Sequence, residues 1–257
     1  MTPAHDTPLA LLGYPPESAR PLRELLRDLG LTALSVPTEP LSEVVLACAA
    51  LAFRGALVAL PLQVAALAEA KGDASALRAG AADTLAFMKG GPPQATCTLP
   101  DALLDTLEDN GYPVRGARAL LIGQSGDLGA GLALTRLRLS SLTLAAASHP
   151  EAESLARGLP ASLKAHVTSR SDPALVTLAE RADLIVLTAG PLPPGLLQPF
   201  HALLDLTGRA GGAASKAGAA LVSLARLPEL RLARRLYHAT GQRFAPEALG
   251  ELAKMLG

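Results

Sequence analysis

The sequence predicts an α/β protein of two domains, the second Rossmann-like. Three observations carry that expectation. Short aliphatic runs alternate with amphipathic stretches along the whole chain, a βαβα rhythm that implies mostly parallel sheets. A glycine-rich turn, from Gly123 to Ala130, sits between a buried aliphatic run and a helical stretch. The length of 257 residues suits two domains of ordinary size.

The elements follow in order. Leu9 to Gly13 reads as a strand, and Glu17 to Leu29 as a helix with Leu22, Leu25, Leu26 and Leu29 on one face. Ala33 to Val36 is the next strand. Leu41 to Phe53 is a helix, with Ser42 as its candidate cap. Ala56 to Leu60 is a strand ended by Pro61, helical stretches run on to Ala79, and Thr84 to Met88 is a strand that Gly90-Gly91-Pro92-Pro93 breaks. After a helix at Leu99 to Asn110 a second cycle starts. Its strands are Ala117 to Ile122, Ser141 to Ala147, His166 to Ser169, Leu184 to Thr188, Leu203 to Leu206 and Ala220 to Leu224. Its helices are Asp127 to Arg138, Glu151 to Arg157 and Ala174 to Arg181, and the Gly/Ala-rich segment Gly208 to Ala220 reads as a loop. Helices at Glu229 to Thr240 and Pro246 to Leu256 close the chain. The expected first domain spans residues 1–100 and receives the helices of 229–257, and the second spans 101–228.

Composition excludes several function classes. Lys plus Arg equals Asp plus Glu at 23 each, so the formal net charge is zero. A nucleic-acid-binding protein needs a basic excess to meet phosphates, and so does a polybasic membrane-surface protein. Apolar stretches such as Val44 to Phe53 fall short of the roughly 20 residues of a spanning helix. Met1 to Pro8 shows no basic n-region followed by an apolar run. A cytoplasmic location with a small-molecule ligand is the expectation. Cys48 and Cys97 read as small core residues in a reducing compartment. The five His, at positions 5, 149, 166, 201 and 238, show no metal-ligand spacing.

The turn Gly123-Gln124-Ser125-Gly126-Asp127-Leu128-Gly129 stands where glycines let a backbone approach a pyrophosphate. Ser125 occupies the second glycine position of G-x-G-x-x-G, with Gly126 one further on. A tight strand–helix turn that binds nothing explains the same residues. Two features favour that plainer reading. Asp127 suits its own helix start and repels an anion there. The end of the second strand, Ala145-Ala146-Ala147-Ser148-His149, lacks the acid that holds an NAD ribose and the Arg that holds an NADP phosphate.

Phe53-Arg54-Gly55-Ala56-Leu57-Val58-Ala59-Leu60-Pro61-Leu62-Gln63, followed by Gly80-Ala81-Ala82-Asp83-Thr84, resembles the shikimate dehydrogenase family. That family reads R-G-x-N-V-T-x-P-x-K and then G-A-x-N-T at these places. The resemblance covers nearly the whole chain. Gly13-Tyr14-Pro15 and Ser18-Ala19-Arg20-Pro21 look like the family's G-x-P and S-x-S-P, and Ala95 to Leu99 falls on its G-x-N-T-D. The Gly123 turn is similar to G-A-G-G-A, Ala182 to Val186 to A-D-L-V-I, and Thr240-Gly241 with Pro246 to the closing T-G-x-x-x-x-P. The resemblance implies a substrate-type domain, a dinucleotide-binding-type domain and a cleft between them. It implies NADPH-dependent reduction of 3-dehydroshikimate in aromatic amino acid biosynthesis, with NADP as cofactor.

The framework matches and the chemistry departs. The family's catalytic Lys falls on Gln63 and its partner Asp on Leu99, neither of which moves a proton. The motif Asn and Thr fall on Leu57 and Ala59, two further Asn on Asp83 and Cys97, the second Ser on Arg20, and a Gln near the C-terminus on Arg231. Ser18 and Thr98 survive. The resemblance thus gives Ser18, Arg20, Gln63, Asp83, Thr98 and Arg231 as substrate-cleft positions. On the cofactor side it gives Gly123, Ser125, Gly126, Gly129 and Thr188, while N-R-T falls on Ala146-Ala147-Ser148. Two readings follow: a non-catalytic relative that keeps the fold for binding or assembly, or an oxidoreductase of more apolar substrate in which Asp83, Arg20 or Arg231 does new work. Asp83 and Arg231 equally suit a plain ion pair with each other. A genuine shikimate dehydrogenase despite the substitutions is the remaining alternative. Gln63, Asp83 and Leu99 are expected to lie close together.

Overall fold

The computed structural model describes residues 7–112, 115–124, 127–128 and 139–256. The chain divides into two compact units. One runs from the amino terminus to Ala102 and resumes at Arg226, and the other is Leu103–Ala225.

The first unit is built on a six-stranded sheet in the order β2-β1-β3-β5-β6-β4. Its strands are β1 (Leu9–Leu12), β2 (Ala33–Val36), β3 (Gly55–Val58), β4 (Lys71–Gly72), β5 (Thr84–Ala86) and β6 (Gln94–Thr96). β1 pairs in parallel with β2 and β3, and β4 with β6, while β5 runs antiparallel between β3 and β6. The parallel expectation therefore holds except at β5. The two- and three-residue strands β4 and β6 were not legible, because such short runs carry no periodicity.

The β1 sequence Leu-Ala-Leu-Leu is buried throughout. Leu9 and Leu11 join one core with Leu22, Leu26 and Leu57, while Ala10 and Leu12 join another with Val45, Ala56, Val58 and Leu85. A strand covered on both faces reads as an unbroken apolar run for this reason.

Helix α1 (Pro16–Asp28) begins with Pro at its first position, where the missing N–H costs nothing. It turns Leu22 and Leu26 into the first core, with Leu25 and Leu29 at its margin. Helix α2 (Leu41–Ala50) is capped by the backbone of Pro40, and Ser42 makes no side-chain cap, contrary to expectation. Two short helices follow, α3 (Gln63–Ala68) and α4 (Ala74–Ala79), and the Asp73 carboxylate caps α4 on Ala76 N at 2.8 Å. Helix α5 (Leu99–Asp109) leads out of the first unit.

The second unit holds the strands β7 (Arg118–Ile122), β8 (Ser141–Ala146), β9 (Lys164–Ser169), β10 (Leu184–Leu187), β11 (Ala202–Asp205) and β12 (Ala220–Leu221). Their order is β12-β11-β10-β7-β8-β9, with every pair parallel. Counted within the unit this is 6-5-4-1-2-3, the doubly wound order with its switch point between β7 and β10. The helices described here are α6 (His149–Ala156), α7 (Leu175–Ala179) and α8 (Gly211–Ala217). The expected helix Asp127 to Arg138 lies mostly outside the described residues.

Helix α8 overturns the loop expected over Gly208 to Ala220. Glycine lowers helix propensity, yet Ala210 and Ala214 pack into the core beside Leu203 and Ile185, and Gly218 ends the helix. The entry and exit of this unit are tied together: the Asn110 amide donates to Ser223 O and accepts from Ser223 N, both at 3.0 Å.

The chain then returns as α9 (Leu227–Thr240), a 3-10 turn and α10 (Gly250–Leu256) to complete the first core with Leu232, Leu236, Leu249 and Leu252. At Gly55 on β3 the backbone of α9 packs close. A Cβ there would stand 2.4 Å from Leu85 O and 2.5 Å from Ala239 O, so only glycine fits. No helix among the described residues is long and apolar enough to cross a membrane.

Candidate functional site

In the first unit, the residues that end β3 and β6 and open β5 meet one face of α9. Asp83 is the centre. It precedes β5, is fully buried, and its carboxylate is saturated. Oδ1 accepts from Thr98 N and Thr84 Oγ1, both at 3.1 Å. Oδ2 accepts from Thr98 Oγ1 at 2.8 Å and from Arg231 Nη2 and Nε at 2.8 and 3.1 Å. Burial opposes the charge on Asp83, and Arg235, Arg231 and the Thr98 hydroxyl outweigh it, so the carboxyl titrates below the ordinary range.

Arg235 stands one turn beyond Arg231 on α9 and is only 5 % exposed. Its Nη2 donates to Tyr14 Oη at 2.9 Å and to Val58 O and Asp83 O at 3.0 Å. Gln63, at the start of α3, donates its amide to the same Val58 O at 3.3 Å. Leu99 opens α5 directly after Thr98. Leu99, Leu227, Pro228 and Leu232 wall a cavity of 140 Å³ together with Arg231 and Arg235. Cys97 lies against this centre, and burial with the Asp83 charge pushes its thiol up to about 11.

The structure therefore gathers Gln63, Asp83, Thr98, Leu99 and Arg231 around one polar centre. It does not bring Arg20 there: that side chain is exposed on α1 and meets Glu24 at 3.4 Å. Ser18 is half-buried on α1, and no hydrogen bond of its hydroxyl joins this set. Arg235 belongs to this centre although no sequence motif singles it out. The available signal was a pair of arginines four apart on a helix whose neighbours Leu232, Leu236 and Ala239 all turn inward.

In the second unit, Gly123 follows β7 and is buried. A Cβ there would meet Thr188 Oγ1 at 1.9 Å, and that hydroxyl donates to Ile122 O at 3.2 Å. The space beside Gly123 is thus taken by Thr188. Ser148 spends its hydroxyl capping α6 on Glu151 N, and His149 is exposed beside Glu153 at 3.3 Å. Ala145 and Ala146 are fully buried. Arg170, just after β9, donates to Ala189 O at 3.3 Å and Pro191 O at 2.7 Å, lying over Gly190 beyond β10. The hydroxyls of Thr188 and Ser148 and the Arg170 guanidinium are each engaged within the protein. Ser125, Gly126 and Gly129 lie outside the described residues.

No protein-family model matches the chain, and no curated protein matches it. Solved structures do. A shikimate 5-dehydrogenase from Listeria monocytogenes, in complex with shikimate and NAD, matches with a TM-score of 0.77 at 17% identity, covering 96% of each chain. One from Thermus thermophilus, in complex with shikimate, matches at 0.69 and 26% identity, covering 96% of this chain and 98% of that one. A quinate dehydrogenase from Corynebacterium glutamicum, in complex with NAD, matches at 0.72 and 16% identity, over 97% and 98%. These neighbours have in common the fold described above. In architecture over nearly its whole length, this chain resembles the shikimate dehydrogenase family.

Proposed function

We propose that this is a shikimate-dehydrogenase-like protein that does not carry out the family's reaction and instead serves as a non-catalytic binding or assembly protein in the cytoplasm. On this reading the first unit is of the substrate-binding type and the second of the dinucleotide-binding type. The observation that carries it is the saturated carboxylate of Asp83, held by Thr98, Thr84 and Arg231 within the protein itself. Where the family places an Asn and a Gln, this chain places an acid and a base that satisfy each other. The Asp83 carboxylate has no lone pair left for the hydroxyl groups of a polyhydroxylated acid.

The proton-transfer positions agree. Gln63 binds a backbone carbonyl with its amide, and Leu99 is an aliphatic wall. Neither group has a pKa for acid–base work, whose loss alone costs on the order of 10²- to 10⁴-fold in rate. Dinucleotide binding is weak or absent on this reading, because Thr188 fills the space at Gly123 and Ser148 caps its own helix.

Purified protein should show no measurable NADP-dependent oxidation of shikimate. A steady-state rate within about tenfold of an ordinary dehydrogenase, whose turnover is on the order of 1–10³ per second, would overturn the proposal. Titration calorimetry with NADP and NAD separates the alternative of an oxidoreductase with a changed substrate. Dissociation constants in the low micromolar range, about −8 kcal/mol, would favour that alternative.

A further inference from the structure

Two guanidiniums at the centre of the first unit share one carboxylate. Asp83 is fully buried, Arg235 is 5 % exposed, and the Arg231 side chain is 31% exposed. The Cys97 thiol, at about 11, is neutral and does not make up the difference. One positive charge is left over in a place where charge is costly. The hydrogen bonding is unbalanced in the same sense. Three acceptors crowd Arg235 Nη2, while the buried Nε of the same side chain has no partner among the described residues. Arg235 and Arg231 both line the 140 Å³ cavity, whose remaining walls include Leu99, Leu227, Pro228 and Leu232.

We propose that this cavity binds a small monocarboxylate with an aliphatic body, its carboxylate on Arg231 and Arg235 and its hydrocarbon against the leucines. The proposal rests on the reading that this unit holds a ligand without turning it over. One surplus charge selects a monoanion over a phosphate dianion. The planar guanidinium suits a carboxylate, and four aliphatic walls leave hydroxyl groups unpaired.

The test is titration calorimetry on the full chain near neutral pH, without nucleotide. The probes are cyclohexanecarboxylate, its neutral amide cyclohexanecarboxamide, and shikimate. Cyclohexanecarboxylate should bind at least about tenfold more tightly than either of the others, the scale of one hydrogen bond to a charged group. Arg231→Gln removes the surplus charge and should weaken it by a similar factor. Leu99→Asp, on the half-buried wall, supplies the missing negative charge from the protein and should do the same, with folding checked by circular dichroism. Leu99→Asp carries the test if Arg231→Gln does not fold. Absence of heat up to about 10 mM, a concentration above any useful affinity, overturns the proposal. Equal binding of the amide, or unchanged binding in Leu99→Asp, also overturns it. Turnover of shikimate with NADP would instead defeat the proposed function, and the nucleotide-free titration reads independently of that result.

Discussion

Each unit of this protein holds a prominent ion pair, and the two differ in what surrounds them. In the second unit Arg118 and Asp183 meet through two side-chain bonds, at 2.5 and 3.0 Å, with side chains 50% and 37% exposed. In the first, Asp83 and Arg231 meet at 2.8 and 3.1 Å around a carboxylate with no exposure at all. By distance the surface pair is the tighter one. By consequence it is the lesser, because water and salt screen it, whereas the buried pair leaves uncompensated charge behind when broken. Closeness is a poor guide to energetic weight; burial decides it.

The sharpest way to break this comparison is to strike the packing that supports the buried pair. Gly55→Ala places a Cβ against two backbone oxygens, Leu85 O and Ala239 O, neither of which can move without shifting β5 or α9. A loss of more than about 4 kcal/mol is expected, in the exceptional range for one substitution, read as lost soluble yield or a collapsed urea midpoint.

Asp83→Asn comes next. It keeps the shape and removes the charge that two guanidiniums face, at a cost of about 3–5 kcal/mol by denaturant unfolding. The same residue gives a pH signature. Its carboxyl titrates below the ordinary value when folded, so its contribution is complete above the unfolded pKa of about 3.9. That contribution is lost as pH falls through the folded value. Acid unfolding of Asp83→Asn should therefore be flatter than that of the parent below about pH 4. Curves of equal slope would mean that Asp83 is not ionised when buried.

Gly123→Ala should cost less, about 1–3 kcal/mol, because the atom it strikes belongs to a side chain, Thr188 Oγ1. Thr188→Ala removes that atom, and the double variant should recover part of the loss. Simple additivity of the two would show that the contact is not the cause. The smallest effect belongs to the surface pair. Asp183→Asn should shift the unfolding midpoint only slightly, and added salt should shrink even that difference. A shift as large as that of Asp83→Asn would overturn the comparison.

Much of this architecture was legible in the residues. The strand Ala33–Val36 was expected with its observed ends, and the run before Gly123 differs by one residue, its Ala-Leu-Leu-Ile buried throughout. Helix α8 was not legible, since its glycines and alanines signal a loop locally and only Ala210 and Ala214 in the core settle the matter. In the first unit, motif spacing singles out Gln63, Asp83, Thr98, Leu99 and Arg231, and the fold places them around one polar centre. Arg20 stands apart from them, exposed on α1 beside Glu24. Arg235 was missed. A buried arginine is intelligible only through the carbonyls of Val58 and Asp83 that receive it, and those come from distant stretches of chain.

The return of α9 and α10 to the first unit has a consequence for how the chain is made. On a ribosome, residues up to 225 emerge before the helices that finish the first core. By then the second unit is complete, its ends clasped through Asn110 and Ser223. The first is not: Leu9, Leu11 and Leu57 still await Leu232, Leu236 and Leu252. Until α9 and α10 follow, the core that α1 shares with β1 and β3 lacks its second half. The stretch that completes this core is also the one that carries Arg231 and Arg235 to Asp83, so closing the core and pairing the buried acid depend on the same helix.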